Sequence, residues 1–236
     1  MSKNVPTPKS VLAVFAHPDD MDFSSAGTMA KWAATGADIT YLVCTDGSKG
    51  SEDPKMTPAK LARIRKAEQE EAARILGVKR VIILKHRDGE LLADYTLKED
   101  ITKVIRQVRP EVVVTLDPTF LYSTKRGVVN HSDHRAAGQA AIDAVYPIAR
   151  DRLNYPHHEK AGLLPHKTKT LLLVSWEGAE HYEDISKTID TKIAALAAHA
   201  SQVPDGFEEW VKKRAAAIGK EAKMRQAEGF KKIELS

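Results

Sequence analysis

The sequence predicts a single α/β domain with a Rossmann-like architecture, a three-layer sandwich in which a mostly parallel sheet lies between helices. Three observations lead to this fold class. Apolar runs of strand length alternate with amphipathic helices, the connections suit right-handed crossovers, and a chain of 236 residues is long enough for one well-buried core. No linker or repeat divides the chain, so residues 1–236 are expected to form one domain whose first residues, 1–9, are flexible.

The first half of the chain contains the clearest elements. Its apolar runs, rich in Val, Leu and Ile, are typical of strands that are buried on both faces. These predicted strands cover residues 11–16, 38–45, 81–84 and 111–116. Apolar residues at helical spacing predict helices between the strands, over 24–33, 57–76 and 96–108. Thr57 and Pro58 are typical of a helix start, and Gly77 is typical of a helix end.

The second half begins with a long segment that has no regular pattern, residues 117–132. A loop of this length inside a compact domain is more often functional than decorative. A helix is predicted to begin at residues 131–134 and to continue through Ala144. Residues 171–174 are predicted to form a short strand, and helical stripes of apolar residues follow within 185–196 and 207–218.

Composition and charge exclude several classes of partner. The net charge is only +4, and the 36 basic residues are interleaved with 32 acidic ones, so no nucleic-acid partner is expected. No apolar run reaches membrane-spanning length, and the polar start of the chain lacks the apolar segment of a signal peptide. The single cysteine, Cys44, cannot form an internal disulfide. These features predict a cytoplasmic protein without a membrane partner.

Polar loops follow the predicted strands of the first half, at residues 17–22, 46–53, 86–90 and 117–134. Ligands of open α/β sheets bind outside the carboxyl ends of the strands, so these loops are expected to form a site. The most informative loop follows the first strand. Pro18 ends that strand because it has no amide proton, and His17, Asp19 and Asp20 lie beside it.

The residue types in these loops suggest a metal centre. His17 and Asp20, together with a histidine from either His131 or His134, would surround an ion with nitrogen and oxygen ligands. Three protein ligands and an open water position are typical of catalytic zinc sites, and the one cysteine excludes a structural thiolate site. Two adjacent aspartates cannot both face one ion with equal ease, so the other carboxylate is available as a base toward a water that attacks an acyl carbon. A second histidine, held in its tautomer by Asp133, is suited to stabilising the oxyanion and protonating a leaving amine.

The segment Ala16-His17-Pro18-Asp19-Asp20, followed by His131-Ser132-Asp133-His134-Arg135, resembles the signature of the PIG-L/LmbE deacetylases. Members of that family are zinc enzymes that remove N-acetyl groups from N-acetylglucosamine-containing molecules. The resemblance implies that His17, Asp20 and His134 bind Zn²⁺, with Fe²⁺ or another divalent metal as the alternative. It also implies that Asp19 is the general base, and that His131, oriented by Asp133, is the general acid or oxyanion partner.

The resemblance extends to the expected substrate, a small amino sugar whose N-acetyl amide is hydrolysed. Arg65 and Asp88 match positions that contact the sugar in characterised relatives, and Ser48 is a further candidate for substrate binding, although its loop is also compatible with a plain turn. Relatives are often trimers or hexamers, so a homo-oligomer is compatible with the family.

Several residues and the activity itself have other interpretations. Asp133, just before a helix, is also typical of a helix cap, and Arg65 with Glu68 has the spacing of a solvated ion pair. His199, on an apolar stripe, is more typical of a core or supporting histidine than of a metal ligand. The alternative functions are a deacylase of another N-acyl amide, such as an antibiotic or thiol conjugate, and a non-catalytic sugar-binding module. A nucleotide-binding module is disfavoured because no G-x-G-x-x-G follows the first strand.

Overall fold

The computed structural model describes residues 7–175 and 177–236. Within these residues the strands are β1 (Ser10–Phe15), β2 (Asp38–Thr45), β3 (Arg80–His86), β4 (Val112–Leu116), β5 (Tyr122–Ser123), β6 (Val128–Val129), β7 (Thr170–Val174), β8 (His181–Asp184) and β9 (Ala227–Glu234). The α-helices are α1 (Asp20–Ala34), α2 (Pro58–Leu76), α3 (Tyr95–Val108), α4 (Ser132–Val145), α5 (Pro156–Lys160), α6 (Ile189–Ala197) and α7 (Phe207–Glu221).

The central sheet has the strand order β3-β2-β1-β4-β7-β9-β8. The pairs β1–β2, β2–β3, β1–β4 and β4–β7 are parallel, whereas β9 is antiparallel to both of its neighbours. This arrangement confirms the predicted α/β fold with a mostly parallel sheet. The chain adds β2 and β3 on one side of β1 and then crosses to add β4 on the other side. The gap between the carboxyl ends of β1 and β4 is therefore a topological switch point, where α/β proteins bind ligands.

Both faces of the sheet are covered, which explains the continuous apolar run of the first strand. Val11, Ala13 and Phe15 belong to a core cluster shared with residues of α1, α2 and α6. Leu12 and Val14 point to the opposite face and belong to a cluster shared with residues of α3 and α4. A strand buried on both sides has no polar face, so the alternation that marks a half-exposed strand is missing.

The predicted elements of the first half agree well with the structure. Strand β2 has the predicted bounds, and α2 is capped by the Thr57 side chain and by Gly77 in the left-handed conformation. The prediction for α1 was wrong at its start, because the helix begins at Asp20 rather than at residue 24. The polar residues of this first turn, which resemble a loop in the sequence, bind other parts of the protein and are described below.

The second half differs more from the prediction. The segment predicted as irregular, 117–132, contains the antiparallel hairpin of β5 and β6. The strands β8 and β9 and the short helix α5 were missed, and Ile185 lies before α6 instead of within it. Strand β9 carries charged residues and a glycine, and its interior position next to β7 depends on the tertiary fold.

At the amino terminus, residues 1–6 of the segment expected to be flexible lie outside the described residues. The Lys9 N–H donates to the Glu111 carboxylate, and the Lys9 carbonyl accepts from the Asp38 N–H.

None of the described helices combines the length and the apolar character that crossing a bilayer requires.

Candidate active site

The residues singled out in the sequence meet at the switch point of the sheet. His17 follows β1, while His131 and His134 lie at the start of α4, which the chain reaches after β4. The His17 ring centroid is 4.8 Å from that of His131 and 5.3 Å from that of His134, and the two α4 rings are 5.4 Å apart. Residues more than a hundred positions apart in the sequence thus form one cluster.

The first group that could hold a metal ion comprises His17, Asp20 and His134, whose candidate ligand atoms all lie within 4.8 Å of one another. Asp20 lies between the two histidines: its Oδ1 is 3.0 Å from His134 Nε2, and its Oδ2 is 3.5 Å from His17 Nδ1. A second group, His17, His131 and Asp133, satisfies the same distance limit. Distance alone therefore leaves both of the α4 histidines as candidate ligands.

Hydrogen bonds around the two groups favour the first as the metal centre. His17 Nε2 is 3.2 Å from Asp133 Oδ2, and His134 Nδ1 is 3.2 Å from Asn130 Oδ1. Metal-ligating histidines usually have such a partner on the nitrogen that faces away from the ion. Asp133, in contrast, already accepts the N–H groups of Gly89 and Leu91, at 2.7 and 3.3 Å. The donor set of His17, Asp20 and His134 fits a divalent cation such as zinc.

The electrostatics of the cluster also suit a cation. Burial alone would lower the pKa of His17, but hydrogen bonds with Asp133 and Asp20 outweigh it and raise the pKa to about 12. Burial would raise the pKa of Asp20, yet the neighbouring His134 and His17 hold it well below its ordinary value. The carboxylates of Asp88 and Asp133 lie 3.3 and 3.2 Å from His17 Nε2. The site is therefore rich in negative charge, which either bound protons or a metal ion can balance.

Asp19 differs from Asp20 in both backbone and charge. Its φ of 89° is unusual for a residue with a Cβ, and such conformations cluster at functional sites. Burial and the charge of Asp20 raise the pKa of the Asp19 carboxyl to about 7, against the opposing effect of Arg65. Asp19 Oδ2 lies 3.5 Å from Arg65 Nη2. A carboxyl group with this pKa can accept a proton at neutral pH and release it again.

His131 is held by the backbone of Asp133, not by its carboxylate. The Asp133 N–H donates to His131 Nδ1 at 3.1 Å, which leaves the proton of a neutral ring on Nε2. The nearest Asp133 carboxylate oxygen is 3.9 Å from that nitrogen. The contact between Asp133 and His131 is thus made by the Asp133 backbone N–H, whereas the Asp133 carboxylate binds His17 and the 89–91 loop.

The simpler interpretations of Asp133 and Arg65 do not hold. The N-cap of α4 is His131, so Asp133 does not cap this helix. Arg65 is 5% exposed and donates to the carbonyls of Pro18 and Lys49 at 2.8 and 3.0 Å. Glu68 does not pair with it and instead accepts from the backbone and hydroxyl of Ser201.

Of the three candidates for substrate binding, Ser48 and Asp88 lie on loops and Arg65 lies on α2. Asp88 accepts the Lys49 N–H at 3.0 Å, and its Oδ2 is 3.5 Å from Arg65 Nη1. Ser48 precedes Lys49 in the loop after β2 and is half-buried, and its N–H donates to Asp46 Oδ1 at 3.0 Å. Arg65 is thus largely committed to protein groups of the two loops that carry Ser48 and Asp88.

A buried network lies behind the site, and of its members only His199 was expected from the sequence, as a core or supporting histidine. His199 is fully buried and lies beyond the end of α6, with its Nε2 2.8 Å from Asp22 Oδ2. Gln69 bridges Asp22 and the backbone of Asp19. The spacing of Gln69, four residues after Arg65, is the one signal in the sequence that places both side chains on the same face of a helix.

The fold and the site together define a Rossmann-like α/β protein with a candidate divalent-metal centre at its switch point. Residues 12–145 match the family described as PIG-L: GlcNAc-PI de-N-acetylase, and the chain belongs to this family.

Individual relatives agree with this family assignment. The chain is 34% identical to a diacetylchitobiose deacetylase of Thermococcus kodakarensis, over 94% of this chain and 82% of the relative. It is 30% identical to a 1D-myo-inositol 2-acetamido-2-deoxy-alpha-D-glucopyranoside deacetylase of Rhodococcus erythropolis, over 85% of this chain and 84% of the relative. The fold is similar to that of the N,N'-diacetylchitobiose deacetylase from Pyrococcus horikoshii, solved with its inhibitor MPG. The TM-score is 0.89, with 31% identity over 96% of this chain and 84% of that chain.

Proposed function

We propose that the chain is a zinc-dependent hydrolase that removes the N-acetyl group from an N-acetylglucosamine-type amino sugar. One observation carries this proposal: the candidate ligand atoms of His17, Asp20 and His134 lie within 4.8 Å of one another, and Asp19 directly precedes Asp20 in the chain. The family and the relatives named above, all deacetylases of N-acetylated sugars, support the same substrate class.

The metal would be held by His17, Asp20 and His134, in a nitrogen- and oxygen-rich set that suits Zn²⁺, with Fe²⁺ or another divalent ion as the alternative. A cation bound there would polarise the acyl carbonyl and make a water molecule more acidic. The chain supplies the orientation of the ligands, because Asp133 and Asn130 fix the far nitrogens of the two histidines.

Asp19 would take the proton of the attacking water. Its position next to Asp20 in the sequence places it beside the proposed metal ligands, and its raised pKa suits a base at neutral pH. Attack on the amide carbon leaves an oxyanion and an amine that must be protonated before it departs.

His131 is the proposed group for the oxyanion and for the leaving amine. Its neutral ring carries a proton on Nε2, and its side chain is 46% exposed. We propose that Nε2 stabilises the oxyanion and donates a proton to the leaving amine, which gives acetate and a free amino sugar as products. Arg65, Asp88 and Ser48 are the proposed contacts to the sugar.

The direct test of the activity is an acetate-release assay on N-acetylglucosamine, N,N'-diacetylchitobiose and glycosides that differ at the anomeric carbon. We expect equal amounts of acetate and free amine, loss of activity after chelation, and recovery with added Zn²⁺. Release of neither product from any member of the panel, with the metal bound, would refute the proposal.

We further infer that the protein acts in the cytoplasm on a small-molecule substrate, as a homo-oligomer such as a trimer or hexamer. Cys44 is buried and free, as is usual in a reducing compartment. Light scattering of the purified protein tests the oligomeric state, and a mass equal to that of one chain would contradict the inference.

A further inference from the structure

The peptide bond that joins Pro18 to Asp19 is held at both of its polar atoms by α2. Arg65 Nη2 donates to the Pro18 carbonyl at 2.8 Å. Gln69 Oε1 accepts the N–H of Asp19 at 2.9 Å. Because residues 65 and 69 are four apart on one helix, the two side chains point to the same side and can hold opposite ends of one peptide plane.

This peptide precedes the residue with the strained backbone. A φ of 89° is unfavourable for aspartate and persists only where the surroundings enforce it. If the peptide plane were free to rotate, Asp19 would relax toward a negative φ, and its carboxyl group would move with the Cα–Cβ bond. The two hydrogen bonds from α2 oppose that rotation.

The orientation of the Gln69 amide is itself fixed. Gln69 Nε2 donates to Asp22 Oδ2 at 2.8 Å, and both side chains are fully buried. His199 Nε2 contacts the same oxygen at 2.8 Å, and the Tyr41 hydroxyl donates to Asp22 Oδ1 at 3.4 Å. The backbone N–H of Asp19 can only donate, so the carbonyl oxygen of Gln69 faces Asp19 and its NH₂ group faces Asp22.

We propose that Gln69 is a positioning residue, which holds Asp19 in its positive-φ conformation and is itself oriented by the buried group of Asp22, His199 and Tyr41. The proposal deepens the proposed function, on which it rests for the role of Asp19 as the base. Gln69 lies behind Asp19 and donates to Asp22, so it acts on the reaction only through Asp19.

The first test is Gln69→Met, which removes both hydrogen bonds at similar side-chain volume. In ¹⁵N-labelled protein we expect the Asp19 amide to exchange with solvent at least tenfold faster than in the wild type, while the metal content is unchanged. We expect kcat to fall about 10²-fold, since a small misplacement of a catalytic group has an effect of this size, with KM changed by less than about twofold.

The second test exchanges the carboxylate of Asp22 and the amide of Gln69 between the two positions. Gln69→Glu places a second carboxylate beside Asp22, so kcat should fall. In the double variant Asp22→Asn/Gln69→Glu, the amide at position 22 can donate to the carboxylate at position 69, which can still accept the Asp19 N–H. Its kcat should be at least tenfold higher than that of Gln69→Glu. Gln139→Glu is the matched control, because Gln139 also donates to an aspartate, Asp143, at 2.8 Å, but on an exposed helix surface. Its kcat should equal that of the wild type.

The amide-exchange measurement needs no substrate, so it separates this inference from the proposed function. If the wild type released no acetate and the Asp19 amide still exchanged faster in Gln69→Met, the proposed function would be refuted and the positioning role would remain. Unchanged Asp19 exchange in Gln69→Met would overturn the inference whatever the activity. A double variant no more active than Gln69→Glu, in an active wild type, would also overturn it.

Discussion

Asp19 and Asp20 are neighbours in the sequence, but their surroundings give them opposite chemical properties. Two imidazoles compensate the Asp20 carboxylate and hold its pKa well below the ordinary value, whereas burial and the charge of Asp20 raise the pKa of Asp19 to about 7. Pairs of titratable groups whose pKa values are pushed apart in this way often divide acid, base and ligand roles. The structure thus supports Asp20 as ligand and Asp19 as base.

Asp19→Asn should separate the base from the metal. The amide keeps the size of the side chain but cannot take a proton, so we expect kcat to fall about 10²- to 10⁴-fold while the metal content stays near one ion per chain. Metal analysis and acetate release on the same sample measure both quantities. Turnover equal to that of the wild type would exclude Asp19 as the base.

His134→Ala should give the contrasting result. This change removes one proposed ligand and leaves Asp20 with one imidazole fewer, so we expect loss of both bound metal and activity. His131→Ala is the matched control from the same turn of α4, since it should keep the metal and lose turnover. Metal retained in His134→Ala and lost in His131→Ala would instead favour the group of His17, His131 and Asp133.

At the scale of the elements, the position of α4 depends on its close approach to β4. A Cβ at Gly138 would lie 2.3 Å from the backbone oxygen of Leu116, too close for any side chain. Asp133 and His134 lie in the first turn of α4 and His131 caps it, so this contact also sets the distance between these residues and His17.

We therefore expect Gly138→Ala to push α4 away from the sheet, lowering the free energy of unfolding by about 1–3 kcal/mol and weakening metal binding. Gln139→Ala, at the adjacent exposed position, is the control and should change neither. Denaturant unfolding and metal titration measure the two effects. Wild-type metal affinity in Gly138→Ala would show that the site does not depend on this contact.

An ion pair joins β9 to the loop after β4. Lys231 Nζ lies 2.6 Å from the buried carboxylate of Asp117, whose pKa is lowered because the hydrogen bonds from Lys231 and Thr119 outweigh its burial. A carboxyl group with a lowered pKa in the folded state stabilises the protein above its unfolded pKa, and the stabilisation is lost as the pH falls through the folded value.

Lys231→Met should accordingly destabilise the protein at pH 7, by about 1–3 kcal/mol, because it leaves Asp117 buried with less compensation. The difference from the wild type should shrink below about pH 4, where aspartate begins to protonate in the unfolded chain. Unfolding curves at the two pH values test this, and a difference that is constant with pH would contradict it.

The accuracy of the predictions from the sequence differs between elements. Helix α2 was predicted with its bounds because Thr57, Pro58 and Gly77 act through local backbone chemistry. Strand β9 was missed because its pairing with β7 and β8 depends on contacts distant in the sequence. The first turn of α1 was missed because its polar residues serve the site, where local preference and function conflict.

At the scale of the whole molecule, the fold converts distant motifs into one site. The parallel strands β1 and β4 are neighbours although about a hundred residues separate them, so the segments that follow them meet at one edge of the sheet. The sequence motifs therefore predicted which residues meet. They did not predict that the Asp133 carboxylate binds His17, or that Asp22 and Gln69 join the buried His199 behind Asp19, because side-chain pairing depends on packing details that spacing does not encode.

The proposed mechanism depends most directly on where a metal ion binds. Crystals of the zinc-loaded protein, measured on both sides of the zinc absorption edge, would locate the ion by its anomalous scattering. We expect one strong peak within coordination distance of His17, Asp20 and His134, about 2.0–2.2 Å from each ligand atom, with the Asp19 carboxyl nearby and not coordinated. A peak between His17, His131 and Asp133, or no peak in this cluster, would contradict it.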